Sequence, residues 1–235
     1  MKLNGIVGKG SGKLGASVFA ISGGEQIVRQ YNPQVTNPST NAQVAQRAKL
    51  KLMSQLAAAL ASALAFKKSG LVSARNQFVS KNIGLATFKN DAASVEVAKL
   101  QLSNGSFNIG SIVPAPAANE FDIALNDNAP ADVKTIVYVV CKKTEDAKLQ
   151  VLAIQPVSDL SENPHAEHTF NVQAGEYVVF AYGLKPTASS SSANYGNYAW
   201  EAADNDATLE TMLKALVANS IVSETAGAEV TVPSE

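Results

Sequence analysis

The fold is decided by an apolar stretch past the middle of the chain, Thr135-Ile136-Val137-Tyr138-Val139-Val140-Cys141. Its β-branched and aromatic side chains favour extended backbone, so the stretch predicts the central strand of a sheet. Shorter β-rich runs flank it at the spacing typical of an antiparallel sandwich. These runs are Val95–Leu102, Phe107–Ile112, Phe121–Leu125, Leu149–Ile154, His168–Val172 and Tyr177–Tyr182. The sequence therefore predicts an immunoglobulin-like antiparallel β-sandwich within residues 91–222.

Turn and helix signals complete this C-terminal part. Asn104-Gly105 lies between the first two runs, and an Asn-Gly pair is typical of a two-residue hairpin turn. Pro114-Ala115-Pro116 predicts a stiff break in the chain. Ala207–Val222 carries apolar residues at helical spacing and predicts a closing helix, after which residues 223–235 are predicted to form a tail.

A β-hairpin is predicted near the N-terminus. Ala16–Ser22 and Glu25–Tyr31 are β-rich runs, and Gly23-Gly24 between them is typical of the primed turns of hairpins. Because a lone two-stranded ribbon is marginal in water, this hairpin must pack on something. A glycine-rich, basic arm precedes it.

Two helices are predicted to follow the hairpin. Thr40 and Gln43 fit a capping box, which opens a helix from Asn41 to about Lys67. A shorter helix is predicted over Leu71–Ile83. Together these elements predict an α+β fold with three parts: a basic assembly region (1–90), an acidic β domain with its closing helix (91–222) and the tail.

The formal charge of the 235-residue chain is divided unevenly along its length. The total of 19 Lys+Arg and 20 Asp+Glu gives a net charge of −1. Residues 1–90, however, hold 12 basic residues and one acidic residue, which gives a net charge of +11. Residues 91–235 hold 7 basic and 19 acidic residues, which gives a net charge of −12. Such an asymmetry predicts a polyanionic partner for the basic part.

Three interpretations of this asymmetry stay open at this point. The basic part binds nucleic acid, or an acidic protein, or the acidic domain of another copy in head-to-tail assembly. Against a base-stacking platform, residues 1–90 contain few aromatic side chains. The candidate residues for assembly or polyanion binding are Lys9, Lys13, Arg29, Arg47, Lys49, Lys51, Lys67 and Lys68.

The sequence predicts no catalytic, metal or cofactor site. A single cysteine, Cys141, excludes a disulfide scaffold and a zinc site built from thiolates. His165 and His168 are the only histidines, and they share one loop without an evident third ligand. The string Gly10–Gly15 matches G-x-G-x-x-G, but it opens a strand and no βαβ unit follows, so it does not predict a dinucleotide site.

No membrane association or secretion is predicted. No apolar run approaches the roughly 20 residues that a membrane-spanning helix needs. Glycines interrupt the N-terminal segment before a signal-peptide core can start.

The stretch that contains Asn37, Pro38, Thr40, Gln43 and Arg47 reads N-P-x-T-x-x-Q-x-x-R and follows a glycine-rich start and a short hairpin. In this it resembles a family of unknown function found in Bacteroidota and in their phages. The resemblance covers about residues 12–82. It implies a phage-encoded, virion-associated, non-enzymatic protein with a β-sandwich-like C-terminal domain, located in the virion or the host cytoplasm, and it implies no catalytic residues.

The combined prediction is a structural protein, associated with a phage capsid, that self-assembles or docks on other virion proteins through its basic N-terminal region. The alternative prediction is a protein that binds nucleic acid independently of sequence through the same basic residues.

Overall fold

The computed structural model describes residues 11–22, 25–33, 39–67, 72–144, 148–158, 160–187 and 206–234. The chain divides into two compact units, Met1–Gln43 and Val44–Glu235. The boundary between the two units lies after Gln43, whereas the sequence predicts a boundary after residue 90.

The first unit contains a three-stranded antiparallel ribbon. Its strands are β1 (Gly12–Leu14), β2 (Ser17–Ser22) and β3 (Glu25–Gln30), in the spatial order β1-β2-β3. The predicted hairpin is confirmed as the β2–β3 pair, in which Ser17 pairs with Gln30 and Ser22 with Glu25. Strand β1 is an addition, and Gly23-Gly24 lies outside the described residues.

Helix α1 (Asn41–Ala59) begins at the predicted capping box. The Gln43 backbone N–H donates to Thr40 Oγ1 (3.4 Å), and the Thr40 N–H donates to Gln43 Oε1 (3.3 Å). The prediction that this helix continues to Lys67 is wrong. After a 3₁₀ turn the chain extends, because the Ala65 N–H donates to the Leu102 carbonyl (2.8 Å).

Helix α2 (Ala74–Asn82) is shorter than predicted and is tied to α1. The Ser73 side chain caps its first turn by accepting from the Asn76 N–H. Arg75 Nη2 donates to the Ser54 carbonyl of α1 (3.2 Å). Buried Asn82 fixes the other end, since its Nδ2 donates to the Gln101 carbonyl and its Oδ1 accepts from the Gln101 N–H.

A small hairpin follows α2 where none is predicted. Its strands are β4 (Thr87–Lys89) and β5 (Ala92–Ser94), joined by Asn90 and Asp91. Both turn residues have left-handed backbone (φ 49° and 59°), as a type I′ turn requires. The predicted strand Val95–Leu102 is wrong, because this segment contains a 3₁₀ turn.

The remaining elements build two antiparallel sheets and one helix. They are β6 (Ile112–Ala117), β7 (Glu120–Leu125), β8 (Thr135–Lys143), β9 (Leu149–Val157), β10 (His168–Asn171), β11 (Gly175–Pro186), α3 (Asp206–Ala218), β12 (Ser220–Val222) and β13 (Ala226–Val232). One sheet has the order β10-β7-β6. The other has the order β12-β11-β8-β9, and β13 also pairs with β11.

Strand β8 confirms the predicted central strand. It pairs with β11 on one side and β9 on the other, and its residues from Thr135 to Cys141 are all buried. The predicted break at Pro114-Ala115-Pro116 is wrong, since these residues lie inside β6. Proline is tolerated in β6 because this strand lies at the edge of its sheet. On the side away from β7, no neighbouring strand needs a backbone N–H from it.

The five-stranded sheet is the middle layer of the second unit. Val137, Val139 and Cys141 of β8 pack with buried residues of α1, α2 and α3. The alternate residues Tyr138 and Val140 pack with residues of β7 and β10. The second unit is therefore a helical layer, a five-stranded sheet and a three-stranded sheet, an α+β arrangement with antiparallel strands.

The predicted C-terminal tail is wrong. Helix α3 ends at Ala218, and the chain then forms β12 and β13 against β11. Before β13, the Ser103 hydroxyl donates to the Ser223 carbonyl (2.5 Å), and Thr225 Oγ1 accepts from the Leu102 N–H (2.9 Å). The predicted hairpin at Asn104-Gly105 is also wrong, because the chain there runs beside this C-terminal segment instead of turning back.

Tyr138 offers a test of the core between the two sheets. Its hydroxyl is buried and has no hydrogen-bond partner among the described residues, and burial raises its pKa. We expect Tyr138→Phe to raise the free energy of unfolding by about 1 kcal/mol, because it removes an unsatisfied buried group. The matched control is Tyr177→Phe, which removes a 2.6 Å hydrogen bond from the Tyr177 hydroxyl to the Gln173 carbonyl. This substitution should lower the free energy of unfolding by about 1 kcal/mol. Urea denaturation measures both; a loss of stability in Tyr138→Phe would contradict the assignment.

Candidate assembly and polyanion-binding surfaces

The ribbon brings two of the predicted basic residues together. Lys13 and Arg29 both pair directly with Val18, from opposite sides of β2, so the three side chains share one face. We call this the basic face of the ribbon. The Lys13 ammonium lies 3.6 Å from the centroid of the Tyr31 ring, a cation–π contact that holds it at the ribbon. Lys9 lies outside the described residues.

The ribbon has no core of its own. None of its positions with a described exposure is buried. The face opposite the basic face carries Leu14, Phe19, Ile21 and Val28, and Leu14 and Ile21 are 72% and 48% exposed. A sheet of this size needs a covered hydrophobic face to be stable in water.

The other predicted basic residues belong to the second unit. Arg47 and Lys51 are exposed, four residues apart on one side of α1, whereas Lys49 is half-buried. Lys67 is exposed beyond the end of α1, and Lys68 lies outside the described residues. Residues 44–90, which include most of α1 and all of α2, contain eight basic residues and no acid.

The residues of the family motif have local roles where the structure describes them. Thr40 and Gln43 form the capping box of α1, and Arg47 lies one turn further along the same helix. Asn37 and Pro38 lie outside the described residues. The resemblance itself stays a prediction.

An acidic sheet face is a feature that the sequence does not localise. On β7, Glu120 and Asp122 point away from the core, because the alternate residues Phe121 and Ile123 are buried. The pairing of β7 with its neighbours places Ala115, Ala117, Thr169 and Asn171 beside the two carboxylates on this outer face. The only signal in the sequence is the lack of any Lys or Arg from 100 to 133 and from 149 to 184.

An open groove of about 730 Å³ runs over this outer face. It is lined by Val113, Ala115, Asp122, Glu167 and Thr169, among others. The Thr169 hydroxyl donates to Asp122 Oδ1 (2.5 Å), which orients that carboxylate across the strands. We call the outer side of β6, β7 and β10 the acidic sheet face.

The second unit is therefore electrically polar. The helical layer covers one side of the five-stranded sheet, and the three-stranded sheet covers the other. Helices α1 and α2, which carry Arg47, Lys51 and Lys81, and the acidic sheet face therefore lie on opposite sides of the five-stranded sheet. Two copies can meet head to tail with opposite charges in contact.

The histidines and the cysteine show no reactive arrangement in the described part of the chain. His165 Nδ1 lies 3.1 Å from the Leu125 carbonyl oxygen. The His168 ring packs on Phe170, with ring centroids 4.7 Å apart, and burial lowers its pKa. Burial raises the pKa of the Cys141 thiol to about 12, so at neutral pH it is not a nucleophile. The described residues include no group of three or more His, Cys, Asp or Glu that can hold a metal ion.

No family model, no curated protein and no solved structure matches the chain. Within the described ranges, every helix is too short or too polar to cross a bilayer. The surfaces described above are therefore the observations from which function is inferred.

Proposed function

We propose that this chain is a non-enzymatic structural protein, associated with a phage virion or capsid, that assembles through its basic N-terminal region. The observation that carries the proposal is the separation of charge in the structure: Lys13 and Arg29 share one face of the ribbon, residues 44–90 hold eight basic residues and no acid, and Glu120 and Asp122 share the acidic sheet face. Complementary charged surfaces steer association and set its register. A ribbon without a core adds a second surface that needs a partner.

The proposal also covers the fold type, the location and the partners of the protein. The two facing sheets form an immunoglobulin-like sandwich, covered on one side by helices. The protein resides in the virion or, before assembly, in the host cytoplasm. Its partners are other copies of itself or other virion proteins, and it uses no cofactor.

The test is the molar mass of the purified protein by size-exclusion chromatography with light scattering. We expect oligomers at micromolar concentration in low salt, and smaller species at about 1 M salt, where the screening length falls to about 3 Å. A monomer under every condition would contradict the proposal. Immunogold labelling of purified particles of the encoding phage then tests the virion association.

Nucleic-acid binding is the second candidate function, favoured by the eight basic residues of 44–90 without an intervening acid. Duplex DNA is added to the same low-salt sample. If the mass rises only when DNA is present, and this gain falls steeply with salt, the basic layer binds polyanions rather than other copies.

A further inference from the structure

We infer that the basic face of the β1–β3 ribbon of one copy docks on the acidic sheet face of a second copy. The inference rests on the proposed function, because it names the two surfaces through which the copies assemble. It joins an uncovered ribbon to an uncovered sheet of opposite charge.

The donor surface combines charge with exposed apolar side chains. Lys13, Val18 and Arg29 form one cross-strand row, and Ala20 and Ile27 form the next row on the same face. Ile27 is 42% exposed. The one acid of the ribbon, Glu25, lies on this same face but at the other end of β3, four residues from Arg29.

The acceptor surface presents the complementary pattern. Glu120 and Asp122 stand on the middle strand, and Glu167 lies at the rim of the groove. Beside them, Ala115 and Ala117 are small and exposed, so they leave room for the side chains of a second sheet. Val113, at the end of β6, is 49% exposed and adds apolar surface.

The two surfaces also agree in size and shape. Strands β2 and β3 of the donor and β6 and β7 of the acceptor each have six residues, about 20 Å at roughly 3.4 Å per residue. Each surface has three strands. Two such sheets can pack face to face about 10 Å apart, as sheets do in sandwiches. Helices α1 and α2 also carry basic residues, but they present rounded surfaces instead of a sheet.

This contact uses different surfaces on the two partners and is therefore heterologous. In an open assembly, the copy at one end keeps a free ribbon and the copy at the other end keeps a free acidic sheet face. Repetition of the contact gives closed rings or open filaments.

The test uses three full-length variants. Lys13→Glu/Arg29→Glu reverses the charge of the ribbon. Ala115→Arg places a cation beside Asp122, its direct pairing partner, and fills the groove. Lys51→Glu/Lys67→Glu, the helical variant, reverses two charges of the helical region and tests that region as the competing donor surface. Circular dichroism checks the fold of each, and Ala117→Arg, beside Glu120, replaces Ala115→Arg if that variant fails to fold.

Light scattering should show that the ribbon variant and the sheet variant each remain monomeric where the wild type assembles, with dissociation constants raised at least about tenfold. Mixed together, they should form a one-to-one heterodimer, because the intact ribbon of the sheet variant still fits the intact sheet of the ribbon variant. The helical variant should assemble like the wild type, because the ribbon and the acidic sheet face are intact in it.

Other outcomes overturn the inference in distinguishable ways. If the helical variant loses assembly and the ribbon variant keeps it, the helical region is the donor, and the proposed function stands without this contact. If either the ribbon or the sheet variant assembles like the wild type, or if their mixture stays monomeric, the contact is wrong. If the wild type is itself monomeric, the proposed function falls as well.

Discussion

Removal of residues 223–235 is expected to leave a chain that does not fold. We expect it to lose cooperative thermal unfolding and the dispersed amide signals of a folded protein. The expected loss is on the order of the whole free energy of unfolding of a domain, about 5–15 kcal/mol. Circular dichroism and NMR spectra of the truncated chain measure it.

The size of this effect follows from the position of β13. Seven residue pairs join it to β11, from Gly175–Val232 to Ala181–Ala226. Its Val230 and Val232 are buried in the core between the two sheets. The truncation therefore removes core side chains and strips a row of backbone partners from β11, which then presents a long, aggregation-prone edge.

The polar residues that precede β13 add to the loss. Buried Ser223 accepts from the Gly183 N–H through its hydroxyl (2.7 Å), and Thr225 Oγ1 accepts from the Leu102 N–H. Without these two hydroxyls, the buried N–H groups of Gly183 and Leu102 lose their hydrogen-bond partners. Each unsatisfied N–H lowers the free energy of unfolding by about 1–3 kcal/mol.

A shorter truncation provides the control. Removal of only 233–235 leaves β13 intact, and Pro233 and Ser234 are exposed. The free energy of unfolding of this variant should lie within about 0.5 kcal/mol of that of the full chain. If the longer truncation also folds with native stability, residues 223–232 do not complete the sheet.

Replacement of Gly105 by alanine is expected to cost about 3 kcal/mol or more, at the upper end of the range for overpacking. A Cβ at Gly105 would lie 2.0 Å from the Glu224 backbone nitrogen and 2.3 Å from its Cα. These atoms belong to backbone, which cannot move aside as a flexible side chain does. The two chain segments must therefore separate.

Gly84→Ala is the matched control for this substitution. A Cβ at Gly84 meets no atom within 4 Å. Alanine there restricts the unfolded chain, so stability should be unchanged or up to about 1 kcal/mol higher. Urea denaturation of both variants measures the difference, and a cost below about 1 kcal/mol at Gly105 would mean that the segments do not approach so closely.

Local signals in the sequence predict local structure well. The capping box of Thr40 and Gln43, the β2–β3 hairpin and the strand from Thr135 to Cys141 all depend on residues close in sequence, and all three are confirmed. The end of α1 is different. The apolar run continues in good helix formers, but the contact of Ala65 with Leu102 draws the chain out of the helix.

Errors arise where distant segments meet. Asn104-Gly105 has the composition of a hairpin turn, yet Gly105 is needed for the approach of residues 223–224, which no local pattern reveals. The sequence does not predict strand β13 for the same reason, since its partner β11 precedes it by some fifty residues. Composition locates the acids in the C-terminal part, but only the pairing of β7 with β6 and β10 places Glu120 and Asp122 on one outer face, where Asp122 lines an open groove.

The late position of β13 in the chain has a consequence for the timing of synthesis. The ribbon leaves the ribosome early, whereas the five-stranded sheet that backs the acidic sheet face lacks one of its strands until residue 232 has emerged. Nascent chains on one messenger therefore display donor ribbons long before they offer a finished acceptor. Under the proposed contact, two growing chains that both lack β13 cannot capture one another.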